Sequence, residues 1–84
     1  MPFRIEYKSS VHHDLKNLDP PVARRILDEL EAALTEDPDR GEPLTGRFRG
    51  LRRYRIGDYR VVYTRTREGV LVLRIGHRSS VYRS

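Results

Sequence analysis

Apolar and polar positions alternate with period two over Phe3-Arg4-Ile5-Glu6-Tyr7, the pattern of a half-buried strand. The period then changes. Val11, Leu15 and Leu18 fall at i, i+4 and i+7, which predicts a short helix capped by Ser9 or Ser10. Asp19-Pro20-Pro21 stops that helix and starts the next, with Asp19 as N-cap and Pro20 at the first helical position. From Val22 to about Glu36, Val22, Ala23, Ile26, Leu27, Leu30, Ala33 and Leu34 share one helical face. Arg24, Arg25, Asp28, Glu29 and Glu31 occupy the other. The run Asp37-Pro38-Asp39-Arg40-Gly41-Glu42-Pro43 is polar and rich in breakers, so it reads as a loop.

The second half reads as strands. Leu51–Ile56 leads into Gly57-Asp58, a two-residue turn signal, and then into Tyr59–Arg65. Glu68-Gly69 makes a second turn before Val70–Ile75; Gly76-His77-Arg78 closes that strand and Ser79–Ser84 forms a tail. The expected fold is α+β in the order β-α-α-β-β-β, a helical hairpin on one face of a small, mainly antiparallel sheet. Residues 1–84 make one domain, because neither side of the 37–43 loop has a core of its own.

Charge sharpens this picture. The net charge of +5 divides unevenly: residues 1–42 carry six Lys/Arg against ten Asp/Glu, and residues 43–84 carry eleven Arg against Asp58 and Glu68. Every basic residue of the second half is arginine, whose planar fork matches phosphate better than an ammonium does. Such a half-domain suits a polyanion, nucleic acid before membrane, since no amphipathic basic helix is present. With no cysteine and only three histidines, disulfides and a structural zinc site are not expected. No apolar run reaches membrane-spanning length and the N-terminus has no signal-like segment, so a cytoplasmic protein is expected.

Strand alternation decides which arginines act together. If Tyr54, Ile56, Val61 and Tyr63 meet the helices, Arg53, Arg55 and Arg60 share the open face. His77 and Arg78 then arrive beside them at the end of the last strand, and Tyr82 can fold back from the tail. Guanidiniums, one imidazole and one phenol meet the needs of RNA cleavage through the ribose 2′-hydroxyl. The arginines neutralise the scissile phosphate and its growing charge. His77 exchanges a proton near neutral pH, and Tyr82 transfers a proton or stacks on a base. Arg60, His77, Arg78 and Tyr82 are therefore the catalytic candidates, and Arg52, Arg53 and Arg55 the substrate-binding ones. No metal or other cofactor is expected. The plainer reading keeps the arginines as solvated strand positions, His77 as a structural hydrogen-bonding residue and Tyr82 as packing. The neighbouring His12 and His13 point about 100° apart on a helix and read as surface.

The run Leu44-Thr45-Gly46…Arg53-Tyr54-Arg55-Ile56-Gly57-Asp58-Tyr59-Arg60-Val61-Val62-Tyr63, followed by Ile75-Gly76-His77-Arg78…Val81-Tyr82, resembles the RelE family of toxins. Asp14-Leu15-Lys16-Asn17-Leu18 resembles the end of that family's first helix, so the likeness covers nearly the whole chain. The resemblance implies a microbial-ribonuclease-like fold and a place in a type II toxin–antitoxin pair. It implies mRNA cleavage in the A site of the 70S ribosome, leaving a 2′,3′-cyclic phosphate. By position, Arg53, Arg60 and Arg78 become the phosphate and transition-state arginines, with Arg55 in support and Tyr82 the C-terminal tyrosine. The implied partners are a RelB-like antitoxin and, through that antitoxin alone, operator DNA.

Two departures leave the general base open. Members with lysines in the basic cluster are not matched, because only Lys8 and Lys16 occur and both lie far away in sequence. Members that use a glutamate with histidine and tyrosine are not matched in the second and third predicted strands either, which makes His77 the first candidate for the base. A ParE-like toxin that inhibits DNA gyrase without catalysis, and an inactive toxin-fold co-repressor, are the alternatives.

Overall fold

The computed structural model describes residues 3–77, so Arg78 and Tyr82 lie outside the described residues. Five strands and two helices follow the predicted order with one addition. They are β1 (Arg4–Tyr7), α1 (Ser9–Lys16), α2 (Pro20–Glu36), β2 (Glu42–Pro43), β3 (Arg52–Ile56), β4 (Tyr59–Arg65) and β5 (Gly69–His77). A 3-10 turn covers Gly46–Phe48. The sheet runs β1-β5-β4-β3-β2 and is antiparallel except for β1, which pairs parallel with β5. The chain is α+β, with both helices on one face.

Each element follows from local chemistry. Pro20 opens α2 from the Asp19 N-cap, where its missing N–H costs nothing and its fixed φ suits a helix. Gly57, at φ 58°, takes the first place of the β3–β4 turn, the position where a II′ turn requires positive φ. The start of α1 differs from expectation. Lys8 holds the N-cap position and Ser10 lies inside the helix, its hydroxyl donating to the Leu73 carbonyl at 2.7 Å.

That bond belongs to a larger arrangement along the edge of β5. β1 ends at Tyr7, opposite Val72, and the Lys8 N–H donates to the Val72 carbonyl at 2.9 Å. Beyond that point α1 takes over. Ser10 meets Leu73, and the Asp14 carboxylate accepts from the Ile75 N–H at 2.9 Å and from Arg74 Nε at 3.1 Å. Side chains of a helix thus continue a strand ladder and shield an edge that would otherwise offer free backbone groups.

The core lies between the helices and the sheet. Ile26, Leu30 and Leu34 line one face of α2 at four-residue spacing and join Val11 of α1 against Ile56, Val61, Tyr63, Val70, Val72 and Ile75. Each aliphatic side chain sealed there contributes about 1.5–3 kcal/mol relative to exposure. Val62 is also buried but stands outside this cluster, on the opposite face of the sheet.

One polar link ties β1 to α2. The Tyr7 hydroxyl donates to Glu31 Oε2 at 2.5 Å. Burial, then the hydrogen bond to Glu31, then the charge of that carboxylate raise the phenol well above its ordinary value of 10.0. A raised folded pKa contributes stability that is complete below pH 10 and is lost as pH rises beyond it, where the unfolded phenol ionises first. Melting temperature should therefore fall above pH 10, and Tyr7→Phe should flatten part of that fall. Circular-dichroism melts between pH 8 and pH 11 compare the two slopes; equal slopes would detach the effect from Tyr7.

Candidate functional site

The open face of the sheet is built by alternation on β3 and β4. Arg53 stands opposite Val62 and Arg55 opposite Arg60, so these side chains project away from the helices. Tyr54 and Ile56 point the other way, opposite Val61 and Tyr59. Arg55 and Arg60 form a like-charged cross-strand pair, an arrangement that lowers stability where nothing compensates. Arg55 Nε donates to the Gly57 carbonyl at 3.0 Å, which anchors its guanidinium at the turn.

Carboxylates answer most neighbouring arginines. Arg53 pairs with Glu42, Arg52 and Arg65 with Asp39, and Arg74 with Asp14. Arg55 and Arg60 have no such ion pair among the described residues. Arg60 goes further: its Nε is sealed from solvent and meets no hydrogen-bond partner among them. A buried donor left unmade costs about 1–3 kcal/mol, more for a charged group. Arg60 is therefore held ready for an acceptor.

Glu42 is the residue that sequence reading missed. It lies on β2, directly opposite Arg53, and its carboxylate hydrogen-bonds the Arg53 guanidinium. The arginine face therefore carries a carboxylate, which the prediction of no glutamate in the strands had left out. The available signal was Glu42-Pro43, a dipeptide suited to a short edge strand, where proline's lost donor faces outward.

The loop that carries Glu42 is clamped from below. Fully buried Tyr63 donates its hydroxyl to the Pro38 carbonyl and accepts from the Gly41 N–H, each at 2.9 Å. Burial raises the Tyr63 phenol; the Gly41 N–H and the Arg52 charge oppose that shift, and Asp39 and Asp37 add to it. A Cβ on Gly41 would stand 2.6 Å from the Tyr63 oxygen, so that position admits only glycine without movement. Arg52 adds hydrogen bonds to the Asp39 and Gly41 carbonyls at 3.1 Å and 2.7 Å. Tyr63→Phe should cost about 1–3 kcal/mol, because two buried backbone groups lose their partner. Urea denaturation measures it; a loss below half a kcal/mol would mean that the clamp bears no weight.

The predicted site residues thus divide. Arg53, Arg55 and Arg60 share the open face. Arg52 does not: it stands opposite Tyr63 and bonds to the loop on the helix side, which corrects its place among substrate contacts. His77 is also separated from the cluster. It pairs with Tyr59, whose ring it meets edge-on at 6.0 Å between centroids and 83° between planes, while Gly76 stands opposite Arg60. Cross-strand partners share a face, so His77 points to the Tyr59 side and not beside Arg60. Arg78 and Tyr82 lie outside the described residues.

Among the described residues no group of three or more His, Cys, Asp or Glu is placed to hold a metal ion. No helix among them is long and apolar enough to cross a membrane.

Comparison with known proteins follows the same lines. The family model described as ParE toxin of type II toxin–antitoxin system, parDE, matches residues 5–82. The chain is 30% identical to Toxin RelG of Mycobacterium tuberculosis over 86 residues, covering 99% of both chains. It is 32% identical to Toxin RelE of the same organism over 85 residues, covering 98% of this chain and 88% of that one. Among solved structures, the toxin–antitoxin complex RelBE2 of M. tuberculosis holds a similar chain. The TM-score is 0.82 at 28% identity, covering 93% of this chain and 100% of that one. The intact RelBE complex of Escherichia coli shares the fold at TM-score 0.70, with 18% identity and 90% and 96% coverage. The two helices on a mainly antiparallel sheet, the arginine-bearing open face and these matches together make the chain a member of the RelE/ParE superfamily, a toxin of a type II toxin–antitoxin system.

Proposed function

We propose that this toxin is a ribosome-dependent endoribonuclease that cuts mRNA in the A site and so arrests translation. The observation that carries the reading is Arg60, whose buried Nε lacks a partner and whose neighbour across the strands is a second guanidinium. Two positive groups fixed at that spacing suit one phosphodiester, whose charge grows as a pentavalent phosphorus forms. Arg53 stands beside them, and Arg78 would join them by the family resemblance.

Glu42 supplies the proton acceptor that the sequence left open. Its carboxylate lies on the arginine face, whereas His77 faces Tyr59. In the proposed step Glu42 takes the proton of the 2′-hydroxyl, and the 2′-oxygen bonds to phosphorus. The bond from phosphorus to the 5′-oxygen breaks, leaving a 2′,3′-cyclic phosphate. The departing 5′-oxygen takes a proton from the C-terminal segment, where His77 and Tyr82 are the available acids. The guanidiniums provide all the positive charge the step uses, so it runs without a metal.

A cognate antitoxin is the first partner, as in the RelBE2 toxin–antitoxin complex that this chain resembles. An acidic or amphipathic segment that folds on binding would neutralise the arginine face, and operator DNA would be reached through the antitoxin. The ribosome and its mRNA are the target, in the cytoplasm. A second reading, gyrase inhibition, draws on the family model's ParE description and on the displacement of His77 from the arginines.

Primer extension on mRNA held in programmed ribosomes separates the two. Wild type should give new 5′ ends at the A-site codon, and Glu42→Gln should lower their rate about 10²- to 10⁴-fold, the usual worth of a positioned proton acceptor. No cleavage from folded wild type would overturn the ribonuclease reading. Stabilised gyrase–DNA cleavage complexes would then establish the other.

A further inference from the structure

The open face does not end at the arginine cluster. Thr64 lies on the same side of β4 as Arg60, four residues further along, and its hydroxyl donates to the Gly50 carbonyl at 3.0 Å. This bond pins the 44–51 loop to the open-face side of the sheet. The loop is ordered by its own hydrogen bonds, Phe48 N–H to Thr45 O, Arg49 N–H to Gly46 O and Leu51 N–H to Phe48 O. Gly46 and Gly50, at φ 66° and 92°, allow the tight path between them.

What the loop displays is Arg47-Phe48-Arg49. Both arginines are exposed and Phe48 is half-buried. The Arg47 guanidinium carbon lies 5.3 Å from the Phe48 ring centroid, a cation–π contact that aligns an aromatic and a planar cation. Neither arginine has a carboxylate partner among the described residues. Alternating forked cations and a ring form the kind of platform on which single-stranded bases stack and phosphates dock.

We infer that Arg47, Phe48 and Arg49 form a second RNA-binding subsite, which holds a flanking nucleotide of the same strand whose scissile phosphate sits at Arg60. The inference rests on the RNA-cleavage reading of that face. Four strand residues from Arg60 to Thr64 span about 13 Å at 3.3 Å each. A stacked strand advances about 3.4 Å per nucleotide, so the subsite lies about four nucleotides from the cut. Phe48 and the Arg47 plane would take a base, and Arg49 a phosphate. The loop thus extends the grip without adding to the chemistry.

Fluorescence anisotropy with labelled 2′-O-methyl RNA, which lacks the attacking hydroxyl, tests this. A trimer reaches only the Arg60 cluster; a twelve-mer reaches both sites. Arg47→Gln/Arg49→Gln should weaken twelve-mer binding about five- to tenfold. It should also reduce the slope of log affinity against log salt by about 1.4, at about 0.7 for each lost contact, and leave trimer affinity unchanged. Phe48→Leu should weaken the twelve-mer without altering that slope. Unchanged twelve-mer affinity, or equal loss for both lengths, overturns the subsite. If Arg60→Gln weakens neither oligonucleotide, it is the RNA reading of the whole face that fails.

Discussion

Arg60→Ala should abolish detectable toxicity while leaving the melting temperature equal to that of wild type or above it. The two halves of this expectation come from one side chain. A preorganised donor aimed at developing phosphate charge is worth about 10²- to 10³-fold in rate, so cleavage in the primer-extension assay should fall by that factor. The same side chain faces Arg55 directly and keeps its Nε buried without a partner among the described residues, both of which lower stability. Removing it relieves both. Arg60→Lys should not restore cleavage, because an ammonium cannot present two parallel donors to one phosphate. A variant that loses activity and also unfolds would mark Arg60 as structural. A variant that stays active would remove it from the site.

Gly69→Ala should be the most destabilising exchange on the sheet, at about 3 kcal/mol or more by urea denaturation. Gly69 stands opposite Arg4 in the parallel β1–β5 pair, where the strands approach closely. A Cβ built there would lie 1.8 Å from the Arg4 carbonyl oxygen and 2.8 Å from its nitrogen. Both are backbone atoms, so no rotamer change relieves the clash; β1 must move. With it would go the hydrogen bond from the Arg4 N–H to the Glu68 carbonyl at 3.0 Å. A loss below 1 kcal/mol would mean that β1 shifts freely and contributes little to the fold.

Both helices, the strands β3 and β4 and their two-residue turn were legible because their signals are local. Pro20 after Asp19, the i+4 spacing of Ile26, Leu30 and Leu34, and Gly57-Asp58 each act through a few neighbouring atoms. The side of Arg52 was legible too, since the alternation that turns Tyr54 inward turns Arg52 with it. β2 was hidden because two residues have no period to read, and Pro43 suggests a break. Its absence concealed Glu42. The placement of His77 failed for a different reason. Val70 and Val72 point inward, and strict alternation from them would turn Ile75 and His77 outward. A bulge between Val62 and Tyr63 on one side leaves Leu73 as the extra residue on β5, so Ile75 becomes buried and His77 follows it. One inserted residue reverses every side chain after it, and no pattern in the sequence marks the insertion.

The parallel pairing of β1 with β5 has a consequence for how the toxin comes into being. β5 is made last among the described strands yet sits between β1 and β4, and its inward side chains complete the core. As the chain leaves the ribosome, β1 has no neighbour to join, and the helices have no finished surface to cover. Closing so long a loop is entropically costly until its final segment arrives. The β3–β4 hairpin with its arginines emerges earlier, but it lacks the central strand that would hold it flat. Each molecule is therefore harmless to the ribosome that is synthesising it. It gains its shape, and with it the capacity to bind either its antitoxin or its target, only in the last moments of its own translation.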